Sequence, residues 1–127
     1  MATIKSYTDI EQSRKLAEIL PLESADMYWW SSGKRYYIEA MDDGDFNEEE
    51  GHIRAWSLSA LLEQFPYELC DDDGNSSYLQ INKEGDVYQL VYEDPYGDFE
   101  SIETDRYEHF IDACVDMIIR LKELNLL

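Results

Sequence analysis

Only one class of chemically capable side chain is abundant in this chain. Of its 127 residues 29 are Asp or Glu, against two histidines and two cysteines. Clustered carboxylates raise the question of a divalent cation, because calcium is held by several oxygen ligands. The run Asp71-Asp72-Asp73-Gly74-Asn75 resembles the start of a calcium loop. An EF-hand, however, places glycine sixth and a bidentate glutamate twelfth. Counted from Asp71, the glycine falls fourth and the twelfth residue is Asn82. The acidic stretch Asp42–Glu50 fails the same test. His109 and Asp112 stand one helical turn apart, which supplies two ligands and an incomplete site.

Nucleophilic catalysis needs a base beside the nucleophile. Neither His52 nor His109 sits in a motif that predicts such a pairing. Cys114 lies in an apolar stripe, where cysteine behaves as a small buried hydrophobe. Cys70 precedes three aspartates, which repel a thiolate and blunt its reactivity. The glycines at 33, 44, 51, 74, 85 and 97 give neither a GxG nor a P-loop spacing, so nucleotide binding by those routes is not expected. Among so many acids some pair always has a near neighbour, so paired carboxylates carry no information here. The residues read as a non-enzymatic protein with no cofactor and no metal site.

What the chain offers instead is charge and aromatic surface. Ten bases leave a formal net charge of −19, and from Ala55 to Asp105 Lys83 is the only base. Such a surface repels nucleic-acid phosphates and anionic membranes and attracts a basic partner. Asp42, Asp43, Asp45, Glu48, Glu49 and Glu50 form the densest separate run. Tyr and Trp are enriched at protein interfaces. If helices cover one face of a sheet, several of Tyr28, Trp30, Tyr37, Tyr78, Tyr88 and Tyr92 must lie on the other. The expected partner-binding set is therefore Tyr28, Trp30, Tyr37, Tyr88 and Tyr92 together with the acidic run. The leading expectation is a protein-interaction module that receives a basic or nucleic-acid-binding protein. The alternatives are a small enzyme or metal-dependent binder that uses the clustered carboxylates, and a homodimer whose aromatic face is its subunit contact.

The elements that would position these residues follow from local signals. Thr8 and Glu11 match an S/T-x-x-E capping box, and Ile10, Leu16, Ala17 and Leu20 recur at helical spacing up to Pro21, which predicts a helix over Asp9–Leu20. Met27–Trp30 and Tyr36–Met41 flank a glycine-containing turn and read as a β-hairpin. Asp42–Gly51 reads as an acidic loop. Ser57 is a good N-cap for a short helix that ends at Phe65-Pro66, with Trp56 placed to pack on Leu61. Ser77–Asn82 and Val87–Glu93 bracket Lys83–Asp86 as a second hairpin, and Phe99–Glu103 adds a short strand. Tyr107, Phe110, Ile111, Cys114, Ile118 and Leu121 outline a long amphipathic C-terminal helix with Asp112, Asp116 and Arg120 on its wet face. The order α-β-β-α-β-β-(β)-α predicts an α+β fold: an antiparallel sheet of four to five strands with three helices.

A length of 127 residues with 44% apolar content suits a single domain spanning 1–127 with an unaided core. Distant cysteines fit a reduced compartment, and no apolar run reaches signal-peptide or bilayer length, so a cytoplasmic location is expected. Several stretches, Tyr7-Thr8-Asp9-Ile10-Glu11-Gln12-Ser13, Lys15 to Pro21, Glu23 to Met27, Trp56-Ser57-Leu58, Ala60-Leu61-Leu62 and Ile111 to Val115 with Met117-Ile118, resemble an uncharacterised family of small acidic proteins from gut anaerobic bacteria and their mobile elements. At His109-Phe110 that family tends to read Asn-Pro, an alternative helix start. The resemblance implies a bacterial cytoplasmic protein, phage- or plasmid-associated, and carries no activity with it.

Overall fold

The computed structural model describes residues 5–42 and 44–127. The fold is α+β, with three α-helices and two antiparallel sheets of three and four strands among the described residues. The expected strands are thus divided between two sheets, with short strands added. The chain forms two compact units, 5–64 and 65–127.

In the first unit, α1 spans Ile10–Ala17. Its capping box lies one residue later than the Thr8–Glu11 expectation: the Asp9 carboxylate accepts the Gln12 N–H at 2.8 Å, and the Gln12 side chain accepts the Asp9 N–H. Thr8 is otherwise engaged. It is buried, shares a 2.7 Å hydrogen bond with the Ser13 hydroxyl, and pairs with Trp56 through both backbone and side chain. A threonine tied to a neighbouring segment cannot also cap, so the exposed Asp9 does.

Strands β1 (Met27–Ser32) and β2 (Arg35–Ala40) form the expected hairpin, with Ser32 opposite Arg35. Gly33 has φ +65 while Lys34 stays out of the left-handed region. Glycine at the first central position with that pattern is a type II′ turn, whose twist matches the flanking strands. Strand β3 (Ile53–Ala55) joins the other edge of β1, giving the order β2-β1-β3. Three residues are too few to show a period of two in the sequence.

Helix α2 (Leu58–Leu62) starts at Ser57, whose hydroxyl accepts the Ala60 N–H. Asp26 in turn accepts both the N–H and the hydroxyl of Ser57. Trp56 and Leu61 are both fully buried, and Trp56 Nε1 donates to Ser24 at 2.9 Å.

In the second unit, β4 (Glu68–Cys70), β5 (Ser76–Glu84), β6 (Val87–Glu93) and β7 (Ile102–Glu103) lie in chain order. Helix α3 (Phe110–Glu123) packs on β6 and buries Ile111, Cys114, Met117, Ile118 and Leu121. It begins later than the Tyr107 spacing implies because Tyr107 is extended: its backbone exchanges two hydrogen bonds with Tyr88. It ends in a Schellman motif. Asn125 takes the left-handed conformation, its N–H reaches the Lys122 carbonyl, and the Leu126 N–H reaches Leu121.

Asp116 does not lie on a wet face. Its carboxylate accepts the Asp105 N–H, the Tyr107 hydroxyl and Arg120 Nε at 2.7 Å, so it fastens the segment before α3 to the helix. Burial, followed by that carboxylate, pushes the Tyr107 hydroxyl up to about 12.

The turn after β6 is organised by Asp94, only 6% exposed, which accepts the N–H groups of Tyr96, Asp98 and Phe99. Hydrogen bonds to a charged acceptor contribute roughly 2 kcal/mol. Asp94→Ala should therefore lower the urea midpoint with an unchanged m-value, and Asp94→Asn should recover part of the loss. An Asp94→Ala midpoint equal to wild type would show that the turn stands without its carboxylate.

Candidate functional site

Residues directly opposite and two apart share a sheet face, so Tyr28, Trp30, Arg35, Tyr37 and Glu39 line one face of the first sheet, joined by Arg54 from β3. Trp30 and Tyr37 stack with ring centroids 4.7 Å apart, and Tyr37 remains 42% exposed. Tyr28 departs from expectation. It is 2% exposed, covered edge-on by Phe46 and stacked on by His52 at 5.2 Å, and its hydroxyl donates to Glu39. Burial, then the Glu39 carboxylate, raises that hydroxyl to about 12. Tyr28 is the floor on which the following loop rests and does not present itself to a partner.

That loop is the acidic run. Asp42, Asp45, Glu48, Glu49 and Glu50 are all exposed, while Asp43 lies outside the described residues. A 3-10 turn over Glu48–Glu50 is capped by Asn47, whose side chain accepts the Glu49 N–H. His52 Nδ1 accepts the Asn47 N–H at 3.0 Å, and its Nε2 lies 3.6 Å from Glu50. Arg54 sits with its guanidinium 4.4 Å from the centre of the Phe46 ring and 3.3 Å from a Glu48 oxygen. Phe46, His52 and Arg54 thus pin an acidic loop against Tyr28. None of them was expected to matter. The available signal was an aromatic, a histidine and an arginine inside or bordering an otherwise acidic stretch.

Beside the loop runs an open groove of about 430 Å³ lined by Leu22, Glu23, Ala25, Met41, Asp42, Phe46 and Arg54. Its lining joins apolar side chains to the carboxylates of Glu23 and Asp42, and its one cation, Arg54, is already paired with Glu48. That combination suits a long cationic side chain, whose methylene stem takes the apolar wall while its head stays beside charge and water. Arg54 Nε is buried without a hydrogen-bond partner among the described residues.

Tyr88 and Tyr92 belong to the second unit's sheet. Tyr92 is fully buried, donates to the Pro66 carbonyl at 2.6 Å, and has its hydroxyl pushed far up by burial. It cannot face a partner, because the inward side of β6 is the side that α3 packs against. Tyr88 is half-buried, leaning on Phe110 with Lys83 Nζ 5.4 Å from its ring centre. Of the expected set, Trp30 and Tyr37 stack on the sheet face that Tyr28 shares, and the described residues of the acidic loop rest on Tyr28 through Phe46 and His52.

Among the described residues no group of three or more His, Cys, Asp or Glu is placed to hold a metal ion. The two thiols differ sharply. Cys114 is fully buried and burial raises it to about 12, whereas Cys70 is exposed and its thiol donates to Glu68. At mildly alkaline pH, Ellman's reagent should titrate Cys70 in the native protein and reach Cys114 only in denaturant. Rapid native labelling of both would mean that α3 is not packed as described. Comparison with protein-family models, with curated proteins and with solved structures finds no match for this chain.

Proposed function

We propose that this chain is a non-enzymatic protein-interaction module whose acidic loop receives a basic segment of another protein. The observation that carries the reading is the fixed presentation of the loop. Asp42, Asp45, Glu48, Glu49 and Glu50 are exposed while Phe46, His52 and Arg54 hold the loop against the sheet. A pre-ordered loop loses little conformational freedom on binding, which is where a flexible acidic tail would lose affinity. The adjoining groove adds apolar area for the stems of lysine or arginine, so recognition need not rest on charge alone. Trp30 and Tyr37 lie on the same sheet face and extend it with stacked rings. A basic nucleic-acid-binding protein is the partner class with the matching charge. No described helix is long and apolar enough to cross a membrane, and the cytoplasm is the compartment we assign as part of this proposal.

The test separates a built site from bulk charge. Binding of a short lysine- and leucine-rich peptide is followed by fluorescence anisotropy at low and moderate salt. Asp45→Asn combined with Glu49→Gln should weaken it by roughly tenfold, while Glu11→Gln combined with Glu18→Gln, which removes the same charge from α1 and its C-cap, should change it by less than about twofold. Equal losses from the two pairs would show that only net charge is being read, and the proposal would fail.

A further inference from the structure

The two sheets have four terminal strands, and three of them are short: β3 and β4 have three residues and β7 has two. Brief edges are a common protection against unwanted strand pairing. Strand β2 is the exception. It is six residues long, pairs only with β1 among the described residues, and is exposed at every position but Ile38. Because Ser32 and Arg35 close a two-residue turn, Arg35, Tyr37 and Glu39 direct their backbone groups to β1, and Tyr36, Ile38 and Ala40 direct theirs outward. An unused ladder therefore runs along the outside of β2.

The side chains on this edge are self-complementary. From Ser31 to Ala40 the bases Lys34 and Arg35 face one carboxylate, Glu39, which is the reverse of the chain's overall balance. Neither base has an ion-pair partner among the described residues. Two copies of β2 laid antiparallel about a twofold axis at Tyr37 would hydrogen-bond Tyr36 to Ile38 of the other copy. That register puts Arg35 directly across from Glu39 twice, and Tyr37 across from Tyr37. Moving the axis to Ile38 or Tyr36 keeps the ladder but loses the Arg35–Glu39 match. The tyrosine pair would also extend the existing Trp30–Tyr37 stack to four rings.

The open outer half of β5 offers no such match. Its outward residues are Leu79, Ile81 and Lys83, and no symmetric register that uses them sets Lys83 opposite Glu84.

We infer that β2 is a dimerisation edge, and that two copies of this chain pair through it as a six-stranded sheet with Tyr37 on the axis and Arg35 facing Glu39 of the partner copy. The inference shares Tyr37 with the surface proposed above but rests on the open edge of β2 and not on the acidic loop, so either can fail without the other. The large net charge opposes association, and its range is about 8 Å at physiological salt. Dimerisation should accordingly tighten as salt is raised from low to moderate.

Sedimentation equilibrium on the whole chain tests this. Wild type is expected to dimerise reversibly, and Tyr36→Pro, which removes an outward N–H and leaves the β1–β2 ladder intact, should weaken the dimer by roughly tenfold or more. Arg35→Glu alone and Glu39→Arg alone should each be monomeric, and mixing the two should restore a heterodimer, which no folding defect could mimic. In a Cys70→Ser background, Tyr37→Cys should form an intermolecular disulfide on oxidation faster than Tyr36→Cys, because non-hydrogen-bonded partners sit about 4.5 Å apart at Cα. A wild type that stays monomeric at high concentration, or a dimer indifferent to Arg35→Glu, overturns the inference.

Discussion

The physical constraint behind this structure is an excess of carboxylate that its own cations cannot neutralise. Ten bases face 29 acids, and the ion pairs seen among the described residues engage Lys5, Arg54, Arg106 and Arg120. Carboxylates with structural work are consequently satisfied mainly by neutral donors. Asp94 takes three backbone N–H groups, Asp26 takes the N–H and hydroxyl of Ser57, and Glu39 takes the Tyr28 hydroxyl. Asp71 accepts from Asn75 and Asp73, and Glu68 from the Ser76 hydroxyl and the Cys70 thiol; these bonds hold both groups below their ordinary values. Their stabilising effect is present above the ordinary carboxylate range and is lost as pH falls through the lowered values. Acid thus relieves repulsion while releasing the turn between β4 and β5.

Scarcity gives the few cations their importance. Arg120 closes the group made by Asp105 and Tyr107, from the segment before α3, and Asp116 within it. Arg54 does the equivalent in the first unit, bridging Phe46 and Glu48 so that the acidic loop rests on the sheet. Lys34 and Arg35 have no ion-pair partner among the described residues, and they sit at the turn into β2, whose outer edge is open. The same sheet therefore presents negative charge on its loop and a locally positive turn at its hairpin end.

Much of the fold was legible in the sequence because its signals are local. Gly33 and Gly85 mark two-residue turns, Ser57 marks a helix start, and the apolar spacing from Ile111 to Leu121 marks α3. What escaped depended on contacts distant in the chain. Strand β3 exists because Ile53–Ala55 finds β1, and Thr8 loses its capping role to Asp9 because Trp56 claims it. The candidate site was half legible for the same reason. The acidic run and the Trp30–Tyr37 pair follow from composition and alternation. Nothing local, however, says that Tyr28 is roofed by Phe46 and His52, or that Tyr92 turns inward to Pro66.

If unpaired surface carboxylates set the energetics, then screening them must stabilise the fold. The most direct measurement is the midpoint of thermal unfolding, followed by circular dichroism, as sodium chloride is raised from low to physiological strength, where the screening length shrinks to about 8 Å. The account predicts a steady rise in Tm across that range. A flat or falling Tm would mean that the acids are individually compensated, and would contradict it.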